Sequence, residues 1–224
     1  MTIILTNDDG IDAPGIRALQ QAINGEGVIV APQEHQSGCG HQVNTKKPIH
    51  VQCRSDREYA VASTPADCTR IALSIFPDIK YVISGINAGG NLGVDSYISG
   101  TVAAVREAVI HGIPGIAISH YMKKPLAIDW EIAIQLTVTV LHKLQFQPLP
   151  PGTFWNVNLP HLEPGAPHPE LVFCKPSNSP LPINYRVEGD KYYYQGDYSK
   201  RDRTPGTDVD ICFSGNIAIT QLRV

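Results

Sequence analysis

The sequence predicts an α/β protein: a Rossmann-like, open, mostly parallel sheet flanked by helices, with a C-terminal β-hairpin and strand extension. Three observations predict it. Short apolar, β-branched runs alternate with segments of helical periodicity. Several of those runs end in polar, glycine-bearing clusters, the place where open α/β sheets bind ligands. After Pro160 the texture changes, and Pro, Gly and Tyr displace helical periodicity. With 224 residues, 42% hydrophobic and 17% charged, the chain has an ordinary globular composition and enough length for a sizeable core.

Ile3-Ile4-Leu5-Thr6 has the pattern of a buried parallel strand and ends in Asn7-Asp8-Asp9-Gly10. Asp12-Ala13-Pro14 reads as a helix start, with Asp12 as the cap and Pro14 in the first turn, continued by Ile16, Leu19 and Ile23. Val28 to Ala31, closed by Pro32, completes a βαβ unit of about 30 residues. Thr64-Pro65-Ala66-Asp67 predicts a capped helix through Ile75, with Asp67 in the N3 position. Tyr81 to Ser84 is a strand, followed by a glycine-rich loop from Gly85 to Ser96. Ser99-Gly100-Thr101 opens a helix marked by Val102, Val105 and Val109. Gly115 to Ser119 is the next strand, and Ile128, Ile132, Leu136, Val140 and Leu144 keep the i+4 spacing of a longer helix. Phe154 to Asn158 reads as a further strand. Residues 1–160 thus form an α/β core, and residues 161–224 an extension packed on it, with Tyr192-Tyr193-Tyr194 alternating between the faces of a hairpin and Asn216 to Thr220 returning as a strand.

Composition excludes several classes of function. The formal charge of −3 argues against a protein that holds nucleic acid through a broad basic surface. No apolar run approaches the roughly 18 residues of a membrane span. The N-terminus meets Asp8 and Asp9 almost at once and lacks a basic region, so a signal peptide is not expected. Five scattered cysteines without a C-x-x-C pair read as reduced thiols, and the expected location is cytoplasmic.

Three polar clusters at strand ends are the candidates for chemistry. Adjacent carboxylates Asp8 and Asp9 repel each other unless something neutralises them, which a hard divalent cation does well. Taken alone, the pair is also compatible with a turn cap beside a solvated acid. Ser37-Gly38-Cys39-Gly40 reads as a flexible loop, or as a source of one neutral oxygen or of backbone amides for an anion. Ser84 to Gly93 carries four glycines with Asn87 and Asn91, whose amides present oxygens to a cation or donors to an anion. The helix start at Ser99 favours phosphate. Neither a Walker A loop nor a strict G-x-G-x-x-G fingerprint is present, which weighs against nucleotide triphosphate hydrolysis of that type and against a nicotinamide-dependent oxidoreductase. Arg106 and Glu107 read as residues that pair with neighbours on the helix surface, His111 and His120 as core-edge or solvated residues, and Trp130 and Trp155 as packing residues.

In order along the chain, Thr6-Asn7-Asp8-Asp9-Gly10-Ile11, Ala13-Pro14-Gly15, Val30-Ala31-Pro32, Ser37-Gly38, Thr64-Pro65-Ala66-Asp67-Cys68, Ser84-Gly85-Ile86-Asn87-Ala88-Gly89, Asn91-Leu92-Gly93, Ser99-Gly100-Thr101-Val102, Trp155-Asn156-Val157-Asn158 and Gly206-Thr207-Asp208 resemble the SurE family of stationary-phase survival proteins. The resemblance covers essentially the whole chain. It implies a metal-dependent nucleotidase, with one Mn²⁺ or Mg²⁺ per subunit held by Asp8, Asp9, Ser37 and Asn87, and with Asp8 and Asp9 as the catalytic carboxylates. It implies phosphate contacts from Asn91, Ser99 and Thr101, nucleoside 5′-monophosphates and 3′-monophosphates as substrates, and a homodimer or homotetramer formed through C-terminal arms. Stable nucleic-acid complexes and membrane partners are not implied. Two positions depart from the family pattern: Gln36 stands where arginine is usual, and Ile98 stands before Ser99 with Tyr97 displaced by one. A non-catalytic nucleotide or phosphate sensor built on the same loops is the alternative.

Overall fold

The computed structural model describes residues 2–123, 126–145, 147–163 and 165–224. In chain order the elements are β1 (Thr2–Thr6), α1 (Pro14–Ala22), β2 (Val28–Pro32), β3 (Val51–Ser55), β4 (Glu58–Val61), α2 (Pro65–Ile75), β5 (Ile79–Ala88), α3 (Gly100–Ile110), β6 (Gly115–His120), α4 (Trp130–Leu144), β7 (Thr153–Leu159), β8 (Leu171–Phe173), β9 (Tyr185–Glu188), β10 (Lys191–Tyr194), α5 (Asp208–Phe213) and β11 (Ile217–Arg223). Nine strands form one sheet in the order β3-β4-β2-β1-β5-β6-β7-β11-β8. Strands β4 through β7 in that order run parallel, β11 returns antiparallel to β7, and β3 is antiparallel to β4. The fold class is the one expected from the sequence, a mostly parallel sheet between helices with a separate antiparallel hairpin, β9–β10.

Period-two alternation explains the two layers. In β1, Leu5 packs into a core with Ile16 and Leu19 of α1 and Leu136 and Val140 of α4. Its neighbour Ile4 faces the other way, toward Cys68 and Ala72 of α2 and Ala108 of α3. Both residues are fully buried, as a parallel sheet covered on both faces requires. The Thr64 hydroxyl caps α2 by accepting from Asp67 N at 3.2 Å, as the motif predicts. Asp129 caps α4 in the same manner.

Several details differ from the sequence expectation. The cap of α1 is Ala13, without a side-chain bond, because the Asp12 carboxylate instead pairs with Arg54 at 2.6 Å. Strands β3 and β4 carry no clean alternating apolar pattern, since β3 is an exposed edge, and sequence periodicity misses both. β5 runs four residues past Ser84, to Ala88. Within 161–224, β11 forms where a returning strand is expected and joins the main sheet with β8, whereas α5 forms where no helix is expected. Glu107 is not a surface residue. It is 6% exposed and takes His41 at 2.7 Å and His111 at 3.2 Å. The five cysteines are free thiols.

His120, at the end of β6, is 3% exposed; its Nδ1 contacts the Tyr121 carbonyl at 2.8 Å, and its ring meets His161 edge-on. Burial disfavours the imidazolium and lowers its pKa to about 4, and the nearby His161 pushes the same way. The folded chain therefore keeps His120 neutral while the unfolded chain protonates it below about 6.5. Stability is complete above pH 6.5 and falls toward pH 4, by on the order of 3 kcal/mol for this group. Melting temperatures recorded across that window should fall with pH, and the slope should shrink in His120→Gln.

Candidate active site

The first strand delivers two carboxylates that part company at once. Asn7 closes the turn after β1 by donating from Nδ2 to the Gly10 carbonyl at 2.8 Å. Asp8 is 4% exposed, its carbonyl accepts from Gln36 N at 2.7 Å, and its Oδ1 accepts from the Thr101 hydroxyl at 2.5 Å. Asp9 points elsewhere: Oδ2 accepts from Ala88 N at 3.0 Å, and Oδ1 lies 3.4 Å from Nδ1 of His35. Burial raises the Asp8 pKa; the Thr101 hydrogen bond works against that rise, and the adjacent Asp9 charge adds to it.

Two glycines make these contacts sterically possible. A Cβ on Gly100, the first residue of α3, would lie 2.8 Å from Asp8 Cβ and 3.1 Å from its Oδ2. The missing side chain lets the carboxylate rest against the start of a helix, where the dipole favours negative charge. Gly85 has φ of +141°, and a Cβ there would sit 2.2 Å from the Ile118 carbonyl oxygen. Beside it the β5–β6 register shifts between Ser84 and Asn87, a bulge that re-aims the end of β5.

A cavity of about 360 Å³ opens at the carboxyl ends of β1 and β5 and brings together Asp8, Ser37, Asn87, Asn91, Asp95 and Ser99. Asn87 donates from Nδ2 to the Gly89 carbonyl at 2.7 Å, which leaves its amide oxygen as the free end. Asn91 donates from Nδ2 to the Ser119 hydroxyl at 2.7 Å, using one of that nitrogen's two protons. Ser99 caps α3 by accepting from Val102 N at 3.1 Å, which leaves its own proton available as a donor. Five of the seven residues expected at the site, Asp8, Ser37, Asn87, Asn91 and Ser99, therefore line one cavity. Asp9 and Thr101 stand behind it, Asp9 pinning Ala88 and Thr101 holding Asp8. Thr101 is fully buried. Of the two departures from the family pattern, Ile98 lines the cavity, whereas Gln36 anchors its loop through the backbone bond to Asp8.

Sequence reasoning assigned no role to the residues that hold the Gly89–Tyr97 segment. Asn158 accepts from Asn91 N at 2.7 Å and donates to the Asn91 carbonyl at 3.2 Å, and Asn156 donates to that same carbonyl at 3.0 Å. Both asparagines lie on β7 and are buried. Asp208 accepts from Gly93 N at 2.6 Å and Ser177 N at 2.8 Å. Asp95 accepts from Arg201 at 2.5 Å and from the Tyr198 hydroxyl at 2.6 Å. Burial raises the pKa of both Asp95 and Asp208 against these lowering hydrogen bonds. The available signal was the Asn-Val-Asn alternation, which puts two amides on one face of a buried strand, where unpaired amides are costly.

Fold and cavity together define a doubly wound α/β protein with an acidic, oxygen-rich site at the carboxyl ends of its parallel strands. Residues 3–179 match the family model described as Survival protein SurE. The chain is 68% identical to a Nostoc sp. protein provisionally named 5′-nucleotidase, with both chains covered completely. It is 35% identical to the 5′-nucleotidase SurE of Geotalea daltonii, across all of this chain and 93% of that one. The crystal structure of the SurE protein from Aquifex aeolicus superposes with a TM-score of 0.85 at 30% identity, covering 100% of this chain and 93% of the other. The chain belongs to the SurE family.

Removing the clamp on Asn91 should be costly. Asn158→Ala leaves a buried backbone N–H without its acceptor, a loss of about 1–3 kcal/mol. Urea unfolding should show the midpoint falling with an unchanged slope.

Proposed function

We propose that this chain is a divalent-metal-dependent phosphomonoesterase that hydrolyses nucleoside 5′-monophosphates, and 3′-monophosphates, to nucleoside and phosphate. The observation that carries the reading is the burial of Asp8 in a cavity wall together with Ser37, Asn87, Asn91 and Ser99. Family membership supports it, since relatives of this chain bear the name 5′-nucleotidase SurE. A sensor of the same ligand needs no buried carboxylate beside a phosphate cradle, because backbone amides alone bind anions.

The donor set fits a hard cation. Asp8 is a carboxylate whose charged form is disfavoured by burial and by Asp9, and its neighbours in the cavity are a hydroxyl and an amide oxygen. Of the two carboxylates Asp8 lines the cavity, beside the neutral oxygens of Ser37 and Asn87, while Asp9 Oδ2 accepts from Ala88 N. Such ligands suit Mn²⁺ or Mg²⁺. In this reading Asp8, Asp9, Ser37 and Asn87 would hold one such ion, and the chemistry it would supply is neutralisation of phosphoryl charge and a more acidic water.

The remaining steps belong to the chain itself. The Ser99 hydroxyl, the second proton of Asn91 Nδ2 and the amides at the start of α3 hold the phosphoryl oxygens. Thr101 contributes through Asp8, fixing the orientation of the carboxylate, and one of the two carboxylates, Asp8 or Asp9, accepts the proton of the attacking water. The exposed β9–β10 hairpin, whose Tyr185 ring contacts those of Tyr192 and Tyr194, supports assembly as a homodimer or homotetramer. Among the described residues no helix is long and apolar enough to cross a membrane, and we place the enzyme in the cytoplasm.

Phosphate release from a panel of nucleoside 5′- and 3′-monophosphates, with Mn²⁺, Mg²⁺ or EDTA, tests the proposal. Release should require metal and fall about 100-fold or more in Asp8→Asn and Asp9→Asn. Saturable nucleotide binding with no release under any metal would replace the enzyme by the sensor. Unaltered turnover in Asp9→Asn would remove Asp9 from the site.

A further inference from the structure

A second cavity, of about 530 Å³, adjoins the first and shares with it Gly89, Gly90, Gly196 and Tyr198. Its size lies within the range of roughly 300–1,000 Å³ typical of small-molecule sites. At their boundary the Gly89 and Gly90 backbone faces the Tyr198 side chain, whose hydroxyl lies 3.4 Å from the Gly90 carbonyl, so the two spaces meet along glycine backbone and one fixed aromatic ring. The far wall is aromatic. Tyr121 follows β6 directly, its backbone N donates to the Leu159 carbonyl at 2.9 Å, and its ring stacks on Phe213 with centroids 4.4 Å apart and planes at 22°. Tyr198 is fixed at its hydroxyl by Asp95 and Arg201, and the Arg201 guanidinium lies 4.8 Å from its ring centroid. The Tyr121 and Tyr198 rings are 6.3 Å apart and inclined by 28°. Both rings are therefore held in place before any ligand arrives, which lowers the ordering cost of binding.

We propose that this second cavity is the nucleoside subsite, in which the nucleobase stacks on Tyr121 while the phosphate lies in the first cavity near Asp8 and Ser99. This rests on the phosphomonoesterase reading and assigns the specificity for nucleotides over other phosphate esters to one aromatic residue. A phosphate ester seated at Asp8 and Ser99 must send its leaving group out of the first cavity, and the adjoining space is bounded by glycine backbone and ring faces. A planar heterocycle matches those walls. Stacking of a base on an aromatic side chain is sequence-tolerant, so the subsite takes purines and pyrimidines alike.

Ribose 5-phosphate is adenosine 5′-monophosphate without its base, and the pair isolates the subsite. In the unaltered protein kcat/KM should favour the nucleotide by at least about tenfold, the scale of one stacked base. That ratio should collapse toward one in Tyr121→Ala and survive in Tyr121→Phe, which keeps the ring. If Tyr121→Ala does not fold, Tyr121→Leu keeps an apolar filler against Phe213 without a π-face and reads the same ratio. A ratio near one in the unaltered protein, or a ratio that persists in a folded Tyr121→Ala or Tyr121→Leu, overturns the assignment. Should neither ester be hydrolysed, the enzymatic reading fails and the subsite is judged separately, by calorimetry with adenosine. Binding lost in Tyr121→Ala upholds the subsite, whereas no binding, or equal binding by both proteins, rejects it.

Discussion

The Thr101 hydroxyl holds Oδ1 of Asp8 at 2.5 Å across 93 residues of chain, and the rest of the site is arranged around that contact. A carboxylate that is 4% exposed is costly to keep unless it is hydrogen-bonded or neutralised. Oδ1 is supported by Thr101, and Oδ2 lies against the helix start that Gly100 lets it approach. The charge that remains faces the cavity that Asp8 lines. Gln36 ties its own loop to the Asp8 backbone, so Ser37 arrives at the cavity as a consequence of where the first strand ends.

A second requirement follows from placing a glycine-rich segment at the edge of that cavity. The stretch from Gly89 to Tyr97 has little side-chain mass with which to anchor itself, and its buried backbone groups need partners. Neighbouring elements supply them: Asn156 and Asn158 from β7, Asp208 from α5, and Arg201 through both Asp95 and the Leu92 carbonyl. These polar side chains lie in the interior, where each unmade bond is expensive and each made bond fixes one geometry. The C-terminal segment thus serves the site as well as the sheet, because α5 and the residues around Arg201 close over a loop that began with β5.

How legible this was in the sequence varied with the kind of interaction. Parallel strands such as Ile3 to Thr6 and Gly115 to Ser119 announce themselves, since burial on both faces selects unbroken apolar runs. The caps Thr64 and Ser99 are equally visible, being local contacts within one helical turn. Asp12 misled, because its competing partner Arg54 lies 42 residues away. Strands β3 and β4 escaped for a related reason: an edge strand is defined by its neighbour, and β3 exposes most of its residues.

The sequence by itself determined the alternation of strands and helices and the three polar clusters at strand ends, and its family resemblance put Asp8, Asp9, Ser37, Asn87, Asn91, Ser99 and Thr101 in one expected site, and five of those residues line the cavity. These follow from local periodicity and from motifs that keep their order along the chain. Only the tertiary structure decided that Asp8 faces the cavity while Asp9 turns to Ala88, that Thr101 serves Asp8, and that Tyr121 stands over a second space next to the first. The reason is physical. Consecutive residues leaving a strand diverge by an amount set by the following turn, and the partners that hold them come from elements distant in sequence. Their direction is fixed only when the sheet has closed and each buried polar group has found its bond.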